Sequence, residues 1–105
     1  MSTTEPSAAV DTELSDAIVA YLRGPVRAGT NLEVLAAHAV RRTPEELLAE
    51  IQALKAEMYR VPVRGRADTV WDECRIIHET LAPRHPELSA EALDALLARY
   101  AWSNR

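Results

Sequence analysis

A chain of 105 residues carrying a net charge of −4 has room for one domain with a modest core, and not for two. The acidic balance argues against a protein held mainly by nucleic-acid phosphates, which would need a positive footprint. Cys74 is the only cysteine, which excludes an intrachain disulfide, and no apolar run approaches the roughly 20 residues of a membrane span.

Leu, Ala and Arg dominate, glycine is scarce at 3, and phenylalanine is absent. Ala and Leu favour helix while β-branched and aromatic residues are thin, so the composition points to an all-α or nearly all-α domain. Residues 1 to about 10 are small and polar with Pro6 among them, which predicts a disordered tail ahead of a single helical domain over 11–105. That tail has neither a basic segment nor the apolar core of a signal peptide, so the expected compartment is the cytoplasm, which also suits a lone thiol.

The first helix is expected from about Thr12 to Arg23, with Leu14, Ile18, Tyr21 and Leu22 on its apolar face and Gly24-Pro25 as its stop. Thr30-Asn31-Leu32-Glu33 reads as a capping box opening a second helix, whose short stripe is Leu32, Leu35, Ala36 and Ala39 and which ends near Val40. After a link of two or three residues comes the clearest helix of the chain. Thr43 caps it, Pro44 suits its first position, Glu46 completes a capping box, and Leu47, Ile51, Leu54 and Met58 form one buried stripe. Its outward positions are dominated by Glu45, Glu46, Glu50 and Glu57, with Lys55 the one cation.

Past Met58 the helical period fails. Tyr59, Val61 and Val63 alternate with Arg60, Pro62 and Arg64 ahead of Gly65, which allows a small β-hairpin at about 59–71 or a plain loop. Asp68 is the expected cap of a fourth helix running to about Leu81, with Val70, Cys74, Ile77 and Leu81 inward. Pro83 and Pro86 bracket a turn. Ser89 caps a fifth helix, Leu88 staples onto Leu93, and Leu93, Leu96, Leu97 and Tyr100 face inward. The sum is a compact bundle of four to five short helices.

Chemistry-bearing patterns are few. Cys74 and His78 fall one helical turn apart, the spacing of a thiolate–imidazole pair, but neither an oxyanion hole nor a third orienting group accompanies them. Two candidate ligands on one helix make half a zinc site, and His38 and His85 supply no second pair. Glycine-rich phosphate loops and nucleophile elbows are lacking. The expectation is a chain that is not an enzyme and has no metal or cofactor.

The element order up to Trp71 resembles a winged helix-turn-helix domain, over about residues 14–71: Leu32–Ala39, a short turn, the capped helix from Thr43, then the segment Tyr59–Arg66. The resemblance implies that the helix from Thr43 enters the major groove and that the following segment is a wing. Arg41, Arg42, Arg60, Arg64 and Arg66 would then be the nucleic-acid contacts of a transcriptional regulator. Glu45, Glu46 and Glu50 on that same helix would repel phosphates, which favours another reading. In it, the chain is a non-catalytic protein–protein interaction module: an adaptor, an accessory subunit, or an inhibitor or immunity-type partner. It would bind another protein or a second copy of itself through Glu45, Glu46, Glu50, Tyr59, Arg60, Trp71, Tyr100 and Trp102, since Trp, Tyr and Arg are the residues of interface hot spots.

Overall fold

The computed structural model describes residues 10–23 and 31–103. Five helices and no strand occur among them: α1 (Thr12–Arg23), α2 (Asn31–His38), α3 (Pro44–Arg60), α4 (Val70–Arg84) and α5 (Ala90–Ser103). The Gly24–Gly29 connection and the Thr30 cap expected for α2 lie outside the described residues.

Each helix start has a local chemical cause. Asp11 caps α1, its Oδ1 accepting the Leu14 N–H at 3.1 Å. Thr43 and Glu46 form the full capping box of α3, with Glu46 N–H donating to Thr43 Oγ1 at 3.1 Å and Thr43 N–H donating to Glu46 Oε1 at 2.9 Å. The cap of α4 is Thr69 rather than Asp68: its Oγ1 accepts the Asp72 N–H at 3.1 Å, which sets the first turn one residue later than expected. Ser89 caps α5 through the Ala92 N–H at 3.0 Å.

The core is one cluster of Leu, Ile, Ala, Met and Val side chains drawn from every helix. The stripe Leu47, Ile51, Leu54 and Met58 of α3 is buried as its spacing predicts. On α4 the buried set is Ile76, Ile77 and Leu81, while Val70 and Cys74 pack half-exposed at its edge. That helix also continues past Leu81 to Arg84. Pro83 lies inside this last turn, where it has no N–H to give to the ladder, and the helix ends one residue after it.

The most extensive packing is between α1 and α5, followed by α1 with α2 and α4 with α5. Small residues permit close approach on α1 and α5, where Ala17, Ala92 and Ala95 are sealed from solvent. Ser15, the one buried polar side chain among the described residues, accepts the Ser89 N–H at 3.0 Å and so ties α1 to the start of α5.

Two expectations need correction. Helix α2 ends at His38, two residues before Val40, and only Leu35 of its expected stripe is fully buried; Leu32 is exposed. The link to α3 is correspondingly longer, because the N–H groups of Val40, Arg41 and Arg42 turn out of the helical ladder toward a carboxylate of α1. The allowed hairpin at 59–71 is not formed. Tyr59 and Arg60 complete α3, Val61 is its buried C-cap, and Arg66 N–H donates to the Val63 carbonyl at 3.0 Å across a turn whose third residue, Gly65, has φ +80°. A positive φ at that position is the type II turn geometry that glycine accepts without strain. Val61 and Val63 therefore serve as apolar anchors of a loop, and the alternation that resembled a strand is the pinning of that loop to the core.

Candidate functional site

The acidic face expected on α3 is largely answered by the chain itself. Glu46 is spent on the capping box. Glu50 accepts from Arg42 Nε at 2.5 Å. Glu57 lies 2.8 Å from His85 Nε2 and 3.2 Å from Arg84. Glu45 alone of the four carries no ion pair or side-chain hydrogen bond among the described residues.

Arg42 is a hub. Its guanidinium reaches Asp11 at 2.6 Å, Glu13 at 2.8 Å and Glu50 at 2.5 Å, joining α1, the α2–α3 link and α3. Glu13 Oε2 additionally accepts three consecutive backbone N–H groups, from Val40 at 2.5 Å, Arg41 at 2.7 Å and Arg42 at 3.0 Å. These backbone donors hold the Glu13 carboxyl at about 2, far below its ordinary 4.5. The Arg42 hydrogen bond likewise lowers Asp11 against the opposing effect of its burial. Among the five arginines proposed as nucleic-acid contacts, Arg42 is thus committed to carboxylates. Arg66 donates to the Pro62 carbonyl at 2.8 Å, and Arg41, Arg60 and Arg64 are exposed.

His85 sits between two carboxylates, with Nε2 2.8 Å from Glu57 and Nδ1 3.0 Å from Glu87. Only the imidazolium can donate to both. Burial opposes the charge, but the two hydrogen bonds outweigh it and raise the His85 pKa above 6.5. Because the folded value is the higher one, the contribution of this pair of contacts is complete below pH 6.5 and is lost as pH rises through the raised pKa. Urea unfolding measured from pH 5 to 9 should show stability declining on the alkaline side, and His85→Gln should flatten that decline; equal slopes in the two proteins would contradict the assignment.

The aromatic residues divide. Tyr100 is buried: its ring lies 5.4 Å from that of Tyr59, and its hydroxyl donates to Glu73 Oε1 at 2.8 Å. Burial, then that carboxylate, push the Tyr100 phenol up to about 12. Trp71 is 72% exposed and Trp102 68%, with Tyr59 at 43%. Helices α4 and α5 run antiparallel, since Cys74 Sγ lies 3.8 Å from the Leu97 carbonyl while Glu73 meets Tyr100. Two residues back from Glu73 and two forward from Tyr100 is one direction along this pair, so Trp71 and Trp102 stand at the same open end of it.

Trp102 also forms one wall of a groove between the last turns of α1 and α5. Leu22, Ala95 and Ala98 line it, and Arg23 and Arg99 flank it. Arg99 donates to the Leu22 carbonyl at 2.6 Å, completing the end of α1. Sequence reasoning missed this groove. The signal available was Arg99 lying one turn before Trp102, but nothing in the sequence says that α1 ends beside them.

Cys74 is half-buried, and burial followed by the Glu73 charge raises its pKa, which keeps it a thiol. His78 is exposed. Among the described residues, no group of three His, Cys, Asp or Glu could hold a metal ion, and no helix is long and apolar enough to cross a membrane. Comparison with family models, with curated proteins and with solved structures returns no match.

Proposed function

We propose that the chain is a non-catalytic protein-interaction module, of the adaptor, accessory-subunit or inhibitor type, and that it docks through the open end of the α4–α5 pair. The observation that carries this reading is the exposure of Trp71 and Trp102 at 72% and 68% in a domain whose core closes without them. A tryptophan left in water forgoes about 2–3 kcal/mol of burial, and large exposed aromatics beside arginine are the composition of binding hot spots. Tyr59 and Arg60, both exposed at the end of α3, would extend the contact. The acidic helix contributes less than its composition implies, because Glu46 and Glu50 are engaged internally.

Affinity capture from the native host with the wild-type chain and with Trp71→Ala and Trp102→Ala tests the reading. Both side chains are exposed, so each variant should unfold within about 0.5 kcal/mol of wild type, while recovery of the captured partner falls at least about tenfold. Undiminished capture by both variants would place the docking surface elsewhere. Salt-sensitive binding to mixed-sequence duplex DNA that survives loss of both tryptophans would favour the helix-turn-helix resemblance, with Arg41, Arg60 and Arg64 as its contacts.

A further inference from the structure

A second groove lies between the last turns of α3 and α4. Ala53, Glu57 and Arg60 fall at helical spacing on one face of α3, Thr80 and Arg84 do so on α4, and the loop after α3 adds Pro62. Its volume is about 390 Å³, near the small end of the roughly 300–1,000 Å³ of binding pockets, which suits one or two side chains of an inserted segment. The loop sets a further guanidinium beside it. Gly65, at φ +80°, lets the chain turn back so that Arg66 Nη1 donates to the Pro62 carbonyl at 2.8 Å. That bond occupies one N–H of the guanidinium and leaves the others for a ligand.

The chain does not balance the charges gathered here. The segment Tyr59–Arg66 holds Arg60, Arg64 and Arg66 and no acid. None of the three makes an ion pair among the described residues, nor does Asp68, the next acid along. Glu57 is the one carboxylate lining the groove, and it is divided between Arg84 at 3.2 Å and His85 at 2.8 Å. In a chain with 16 Asp and Glu against 12 Lys and Arg, where Arg42 gathers three carboxylates to itself, a cluster of arginines left without them is a local reversal of sign. Such a surplus draws anions, and the planar fork of each guanidinium fits a carboxylate. We propose that this groove and the loop beside it receive an acidic segment of a partner protein, with one carboxylate at Arg60 and Arg84 and others along Arg64 and Arg66. A duplex is the poorer fit. Glu57 inside the groove and exposed Glu79, beside Thr80, would oppose a continuous phosphate backbone, whereas an acidic segment can set its few carboxylates to the arginines. The inference rests on the interaction-module reading and narrows the partner's chemistry.

The test is to pan random displayed peptides over the immobilised full chain and to titrate the selected sequences against variants. The expected result is enrichment of Asp and Glu, with Arg60→Gln and Arg66→Gln together weakening binding at least about tenfold. Both arginines are exposed, so the double variant should keep its unfolding midpoint. Glu57→Gln separates charge from architecture. It removes the groove's own carboxylate and should tighten the same peptides by about two- to fivefold, although the fold loses two contacts by it; a merely structural role predicts weakening in every variant. Peptides without acidic enrichment, peptides indifferent to Arg60 and Arg66, or none at all overturn the inference. So does mixed-sequence duplex DNA that binds more tightly than any selected peptide and depends on the same two arginines. Peptides that lack acids but lose affinity with Trp71→Ala overturn the acidic groove and leave the interaction reading standing.

Discussion

Replacing Arg42 by alanine should lower the unfolding free energy by about 2–3 kcal/mol, which for a domain of this size is a fall of roughly 10–20 °C in Tm. The guanidinium stands among Asp11, Glu13 and Glu50 with only 22% of its side chain exposed. Its removal leaves three carboxylates facing one another at the joint of α1, the α2–α3 link and α3. Arg42→Lys should recover only part of the loss, since an ammonium cannot serve three acceptors in the fork geometry that Arg42 uses. Glu13 gives the effect a pH signature. Its folded pKa of about 2 lies below the ordinary 4.5, so its contribution is fully present above pH 4.5 and is lost as pH falls toward 2. Without Arg42 that gap narrows, and the acid limb of the stability curve becomes shallower. A loss under about 0.5 kcal/mol in urea unfolding, the range of an ordinary surface substitution, would show the hub to be mere surface charge.

Leu96→Ala should cost about 2–5 kcal/mol. Leu96 is fully sealed on the inner face of α5, the helix that packs on α1, α3 and α4, so the cavity left behind has walls from several helices and little freedom to collapse. A domain whose total stability is about 5–15 kcal/mol has little margin for such a loss. The informative comparison is with Trp102, six positions along the same helix and 68% exposed, where truncation should be nearly neutral. If Trp102→Ala destabilised the fold as much as Leu96→Ala, the division between core and docking surface would be misplaced.

The helices were legible in the sequence because each rests on local chemistry. The capping box of Thr43 and Glu46, the stripe from Leu47 to Met58 and the Ser89 cap all act within a few residues, and all stand in the structure as the spacing predicts. What failed was set by contacts distant in sequence. Val40 leaves α2 because Glu13, 27 residues earlier, draws its N–H. The alternation through Tyr59, Val61 and Val63 resembles a strand only while the hold of α3 on Tyr59 and Arg60 is unknown. Asp68 and Thr69 are equally good caps by type, and it is Thr69 whose hydroxyl accepts the Asp72 N–H, with Ile76 and Ile77 buried in the helix that follows.

The candidate surface was legible in its residues and not in its arrangement. Tyr59, Trp71, Tyr100 and Trp102 could be picked out by type, yet which of them faces water depends on how tightly the small residues of α1 and α5 close the core. That closure buries Tyr100 and leaves both tryptophans outside. The acidic residues of α3 were equally visible, but their engagement by Arg42 and His85 required the α1–α3 and α3–α4 neighbourhoods to be known.

The proposed function stands on those two indoles being in water. The most direct measurement is tryptophan emission and acrylamide quenching of the folded protein at low concentration, using Trp71→Phe and Trp102→Phe to read each remaining indole singly. The account predicts that both emit close to the position of the urea-unfolded chain and are quenched nearly as readily. A blue-shifted, protected signal from either one in the monomer would put that tryptophan inside the molecule and contradict the surface proposed here.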